Sequence, residues 1–251
     1  PPPPPHTHFF NDTATTEIYT PRLSSAASDV YKRQNLKIAV PEKIYVKDPE
    51  SSNLGKRIVE HSILLLDEIG FDSFTFKKLG TLIGSNESSV YRYFESKHKL
   101  LLYLSSWYWA WIEYQMVFDT HSLNAEKKLD RAIEIVTRAI KKDSNFSHIN
   151  EVVLNRIIVN ENSKSFLTKE VDQENKEGYF VIYKRIVYRL RDMIIAINPD
   201  YEFPSSLAST ILEGSLHQHF LKDHFVSMTD CNEGLTPTDF MKNLVLNTLK
   251  S

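Results

Sequence analysis

Between residues 69 and 97 the sequence sets the helix-ending glycines Gly70 and Gly84 among the candidate caps Thr75, Asn86 and Ser96. The chain between them therefore has room only for two short helices and a tight turn. Ahead of this stretch, Ile58, Val59, Ile63, Leu65, Leu66 and Ile69 recur at helical spacing after Ser51 and Ser52, and Gly70 ends the run. In the first short helix, capped by Thr75, residues Phe76, Leu79 and Ile83 form one apolar face, and Gly80 lets a neighbouring helix come close. In the second, capped by Asn86, Val90 and Phe94 face inward, Ser88 and Arg92 lie opposite, and Ser89 and Tyr91 flank them. A helix of about nine residues is marginal alone in water. Its neighbours must hold it, so its outer side chains are presented as a rigid unit, and Ser96 caps a long helix that follows.

Two short helices across a tight turn, the second carrying hydroxyls, an arginine and tyrosines on its free side, make a helix-turn-helix. The stretch IGFDSFTFKKLGTLIGSNESSVYRYFESKHKLL resembles the head of the TetR family, whose pattern is a G-F turn, a capped T-x-x-x-[IL]-[AG], a glycine, and then Y-x-[HY]-F-x-S-K. The resemblance implies that Thr75, Lys77, Tyr91, Tyr93 and Lys97 contact DNA, mostly at phosphates. It also implies that Glu87, Ser88, Ser89 and Arg92 reach bases, with Asn86 counted among the DNA-binding residues. Phosphate contacts set register and groove contacts choose sequence, and Lys97 with the amides opening the long helix would make a phosphate site. Glu87 suits either a hydrogen bond from cytosine N4 or simple stabilisation by the helix dipole. Arg92 suits a guanine and a phosphate equally well. The sequence departs from the family pattern at Ser85, where a buried valine is usual, at Glu87, where polar or basic residues are frequent, and at His98, where a glutamate often follows the lysine.

A net charge of -2 argues against a uniformly basic nucleic-acid binder, so any basic surface must be local. Residues 75–99 supply it: Lys77, Lys78, Arg92, Lys97 and Lys99 against Glu87 and Glu95 leave this patch at +3. The remaining composition, 41% hydrophobic and 25% charged with only 7 glycines, favours long helices, and the fold class predicted is all-α. The lone Cys231 excludes an internal disulfide framework and suits a reducing cytoplasm. The longest uncharged run, residues 100–112, has 13 residues against the ~20 needed to span a bilayer, so no membrane partner is expected.

Residues 1–34 open on a proline run and show no period, and they lack the basic and apolar regions of a signal peptide. They also resemble translated sequencing-adapter text, and the first methionine, Met116, lies downstream of the strongest motif. The expectation is a disordered, non-native segment. Residues 35–54, with Pro41 and Pro49, read as an extended arm, 55–101 as the DNA-binding head, and 102–251 as a helical effector-binding and dimerisation body.

In the body, apolar and aromatic residues from Leu100 to Phe118 run at helical spacing, and further helices are predicted over 123–142, 149–162, 164–172, 175–198, 205–225 and 237–249. An aromatic cluster, with Trp107, Trp111, Tyr114, Tyr179 and Tyr183 as the chosen members, is the candidate lining of a ligand cavity, although aromatics at this spacing are more often ordinary core. The resemblance implies that the last two long helices pair with those of a second copy, and Leu212, Leu216 and Phe220, then Phe240 and Leu244, give apolar stripes for that purpose. Histidines 217 and 219 project from different helix faces, so no metal is predicted, nor any cofactor or enzymatic constellation. The expected function is a homodimeric repressor that binds a palindromic double-stranded operator and is released by a small-molecule effector. The alternative is a helical ligand-binding dimer whose head no longer binds DNA.

Overall fold

Every helix of the head starts on a capping residue that the sequence supplies. In the computed structural model, which describes residues 38–140, 146–232 and 234–250, α1 (Asn53–Ser73) begins after Ser52, whose Oγ accepts the Gly55 N–H. Thr75 caps α2 (Phe76–Leu82), Asn86 caps α3 (Glu87–Tyr91) and Ser96 caps α4 (Lys97–Thr120), each accepting a backbone N–H three residues on. The chain breaks out of α1 at Gly70, whose φ of 72° a side chain would resist, and makes one more turn before α2. α3 has five residues, shorter than the periodicity implied, because the Tyr93 N–H bonds back to Val90 O at 2.9 Å and tightens the last turn. The readings made for residues 1–34 lie outside the described residues.

The arm is packed rather than free. It makes two 3-10 turns, Glu42–Ile44 and Pro49–Ser51; Ile44 is buried, Tyr45 meets Tyr103 of α4 edge-on, and the Val46 N–H bonds to Tyr93 O at 2.8 Å. Ile44 and Val46 thus take opposite environments without a strand.

The body comprises α5 (Ala125–Thr137), α6 (Glu151–Glu161), α7 (Ser163–Phe166), α8 (Val171–Lys176), α9 (Val181–Ile197), α10 (Pro204–His224) and α11 (Pro237–Lys250), and no strand occurs among the described residues. Three predicted helices need correction. The one over 164–172 is two short helices, α7 and α8, and the one over 175–198 is interrupted at Gly178, where φ is 89°. The predicted 123–142 helix ends at Thr137, because Arg138 is extended. No helix among the described residues is long and apolar enough to cross a membrane.

α4 is the central element. All residues from 100 to 109 are buried, so this stretch of the helix is covered on every side; α4 packs on α5, α6, α7 and α9, while α10 lies across α5, α6, α9 and α11. Within this core, Leu212 and Leu216 of α10 are buried inside the chain itself and offer nothing to a second copy, correcting their assignment to a dimer face. Phe240, 46% exposed, and the half-buried Phe220 and Leu244 remain at the surface.

One charge is buried on α4. Glu113 accepts from Arg185 (Nε at 3.0 Å) and Arg189 (Nε at 2.8 Å) of α9. Burial pushes its carboxyl up, but the two guanidinium groups outweigh this and hold it below the usual glutamate value. A depressed value means that the pairing stabilises the fold at neutral pH and is lost as the pH falls below about 4.5 toward the folded-state value. Glu113→Gln is expected to cost about 2 kcal/mol at pH 7 and much less at pH 4, measured by urea unfolding at both.

Candidate nucleic-acid interface and effector cavity

The turn between α2 and α3 fixes the angle at which α3 is displayed. A Cβ on Gly80 would stand 3.1 Å from Ser85 O, Asn86 C and Glu87 N, so the bare backbone of α2 lets the start of α3 seat against it. Val90 and Phe94 anchor α3 from below, both completely buried, and Phe76 meets Tyr91 edge-on at 4.9 Å. Arg57 of α1 donates to Ile83 O and closes the end of α2.

On this frame Glu87, Ser88, Tyr91 and Arg92 are exposed on α3 and its exit, with Thr75 and Lys77 exposed at the start of α2. Asn86 Oδ1 accepts from the Ser89 amide (2.9 Å), the Ser89 hydroxyl (2.7 Å) and the Ser88 hydroxyl (2.8 Å), so a single side chain organises the first turn of α3. Arg92 reaches Ser89 Oγ at 3.3 Å and is otherwise open to solvent.

Three residues read as DNA contacts are placed elsewhere. Ser89 is buried beneath Asn86. Tyr93 is 3% exposed; it turns inward because its hydroxyl pairs with Ser52 Oγ at 2.8 Å and the arm covers its ring through Lys47. Lys97 is the third case. Its ammonium donates to Phe71 O (2.9 Å), Asp72 O (3.1 Å) and Phe74 O (3.3 Å), carbonyls gathered where α1 ends, and so has a partner for each of its three protons. These partners are neutral, so the local charge persists, but the side chain serves as a cap. Lys97→Met should lower stability by about 1–2 kcal/mol in thermal unfolding, the scale of charge-assisted bonds to a helix C-terminus. Lys78, which the sequence reading did not select, is exposed and held by Ser73 O at 2.8 Å.

The body holds a cavity of about 430 Å³ among α4, α7, α8 and α9. Tyr179 and Tyr183 line it as expected from the sequence, together with Trp109, Phe166 and Phe180. Trp107 and Trp111 do not line it. They stack on each other in the core with centroids 6.3 Å apart, and Tyr114 stacks on Phe118 instead. On a helix with a stretch buried on all sides, an aromatic stripe does not reveal which member meets a cavity. Burial, then the Glu213 carboxylate, push the Tyr183 hydroxyl well above its usual value, so it stays protonated and donates to Glu213.

Two contacts join this cavity wall to the head. Lys99 Nζ donates to the hydroxyl of Tyr179, and His98 Nε2 lies 2.9 Å from Glu174 of α8. His98 and Lys99 belong to the first turn of α4, next to the capping Lys97.

A model of the family described as bacterial regulatory proteins, tetR family, matches residues 58–104. No curated protein matches the sequence. Among solved structures, AibR in complex with isovaleryl coenzyme A and operator DNA is similar with a TM-score of 0.52 and 15% identity, over 76% of this chain and 96% of that one. The superantigen PfiT is similar with a TM-score of 0.54 and 17% identity, over 82% of this chain and 100% of that one. At such identities the likeness is one of fold. It joins a protein bound to operator DNA with one described as a superantigen, so the functional argument rests on the head. The match to the bacterial regulatory proteins of the tetR family thus covers residues 58–104, the helix-turn-helix segment, and the body that carries it is helical with no strand among the described residues.

Proposed function

We propose that the protein is a DNA-binding transcription regulator that acts as a homodimeric repressor of a palindromic operator and is released by a small molecule held in the body. The observation that carries this is the exposed row Glu87, Ser88, Tyr91 and Arg92 on a capped, buttressed helix inside the family-matching segment. Such a helix, too short to stand alone, is held rigidly enough to enter a major groove. Phe240, Leu244 and Phe220 support pairing with a second copy, which would present two heads to the two halves of one site. A gel shift on the DNA upstream of the protein's own gene tests the reading: binding no tighter than to random DNA at matched salt overturns it. Arg92→Ala should change sequence preference if Arg92 reads a base, and weaken all sequences alike if it holds a phosphate.

Release is proposed to run through the first turn of α4. A ligand that displaces Tyr179 or α8 acts on Lys99 and His98, and through them on the α1–α4 junction that Lys97 ties together. Lys99→Met is expected to leave operator binding and ligand binding within about threefold of the parent while reducing the ligand's effect on DNA affinity by about tenfold, roughly 1.4 kcal/mol of coupling. Titrating DNA with and without saturating ligand checks this.

The second reading, a ligand-binding helical dimer without DNA affinity, draws on the inward placement of Ser89, Tyr93 and Lys97. Absent or salt-independent DNA binding would favour it.

A further inference from the structure

The lining of the body cavity carries two polar groups that the fold leaves without a partner. Ser105 Oγ on α4 and Asn162 Nδ2 at the α6–α7 junction are buried and make no hydrogen bond among the described residues, and both residues line the cavity. Burying a hydroxyl and an amide without partners costs free energy, and a site built to hydrogen-bond a ligand group has this signature. Asn162 is 5% exposed and Ser105 6%, so neither side chain is open to bulk solvent. Asp172, by contrast, is exposed.

The charges decide what such a ligand can be. The lining includes two carboxylates, Asp172 and Glu213, against one ammonium, Lys184, and the buried polar groups are neutral. An anionic head would meet net negative charge with no buried cation to pair with it, which is costly in a poorly hydrated site. The walls are aromatic faces and edges, Trp109 meeting Tyr183 edge-on at 5.4 Å with Phe166 and Phe180 beside them. Such walls take flat rings in offset or edge-to-face contact.

We infer that the cavity takes an uncharged, planar aromatic compound whose carbonyl or ether oxygen accepts hydrogen bonds from Asn162 Nδ2 and Ser105 Oγ. This rests on the body being the effector site and names the class of effector. It sets the site apart from one for an acyl-coenzyme A, the ligand carried by AibR.

The test titrates the full chain with flavone, a neutral planar ketone, and separately with decanoate and isovaleryl coenzyme A, following tryptophan quenching and calorimetry. Flavone is expected to bind at least tenfold more tightly than either anion. Asn162→Leu should raise the melting temperature of the free protein by removing an unpaired buried amide, yet weaken flavone binding by about tenfold, and Ser105→Ala should do the same to a smaller degree. A merely structural Asn162 would move stability and affinity in the same direction. Tighter binding of either anion, undetectable flavone binding, or unchanged flavone affinity in both variants overturns the assignment. The operator gel shift is run alongside. Flavone that binds without altering DNA retention upholds the ligand class and sinks the release mechanism, whereas retained DNA binding with no flavone binding sinks the class alone.

Discussion

Replacing Lys77 and Arg92 together by alanine is expected to weaken operator binding by at least about a hundredfold at physiological salt while leaving the melting temperature within a few degrees of the parent. Both side chains are exposed on the α2–α3 face, and neither holds the head together: Arg92 makes one long contact to Ser89. On a dimer the change removes four cationic contacts. If all four were to phosphates, the log–log salt dependence of binding should become shallower by about 3.6, at ~0.9 per phosphate. If Arg92 instead reads guanine, the slope change is nearer half that value, and discrimination between operator and random DNA falls by ~1–3 kcal/mol per half-site. Fluorescence anisotropy at several salt concentrations, on operator and on random DNA, separates the two. An unchanged slope would mean that this face does not meet DNA. Lys97→Met is the natural control, since its ammonium is tied to three carbonyls and its loss should appear in stability instead.

The largest expected loss of stability comes from Phe94→Ala, at about 3–5 kcal/mol. Phe94 is fully buried where the exit of α3, the arm and α4 converge, and it meets Tyr103 edge-on at 5.3 Å. Deleting the ring leaves a cavity beneath α3 that a short helix cannot close by its own propensity, because its seat is the packing itself. DNA binding should disappear at temperatures where the body is still helical. Circular dichroism should show an early, small transition for the head followed by that of the body. A single transition at the parent temperature would show that Phe94 is not the anchor.

How much of this was legible in the residues depends on how local each determinant is. The caps Ser52, Thr75, Asn86 and Ser96, the break at Gly70 and the close approach at Gly80 could all be assigned from spacing, since each acts within a few residues along the chain. The ends of the body helices were less secure. Gly178 interrupts what periodicity carried straight through, because apolar residues on both sides remain in phase with one helix.

The placement of Tyr93, Lys97, Trp107, Trp111, Leu212 and Leu216 needed the assembled chain. Tyr93 and Lys97 bear polar ends that suit either solvent or an inner partner, and the partners, Ser52 and the carbonyls closing α1, are far away in sequence. The tryptophans lie in or next to the stretch of helix buried on every side, where period alone cannot tell a core face from a cavity wall. Leu212 and Leu216 form an apolar stripe that sequence treats alike whether it meets the chain's own helices or a second copy. The amino-acid order by itself determined an all-helical protein with a helix-turn-helix head, because caps, glycines and apolar period are short-range instructions. Which side chains stay free to meet DNA, ligand or partner was decided only by tertiary packing, since freedom is a property of what the rest of the chain leaves uncovered.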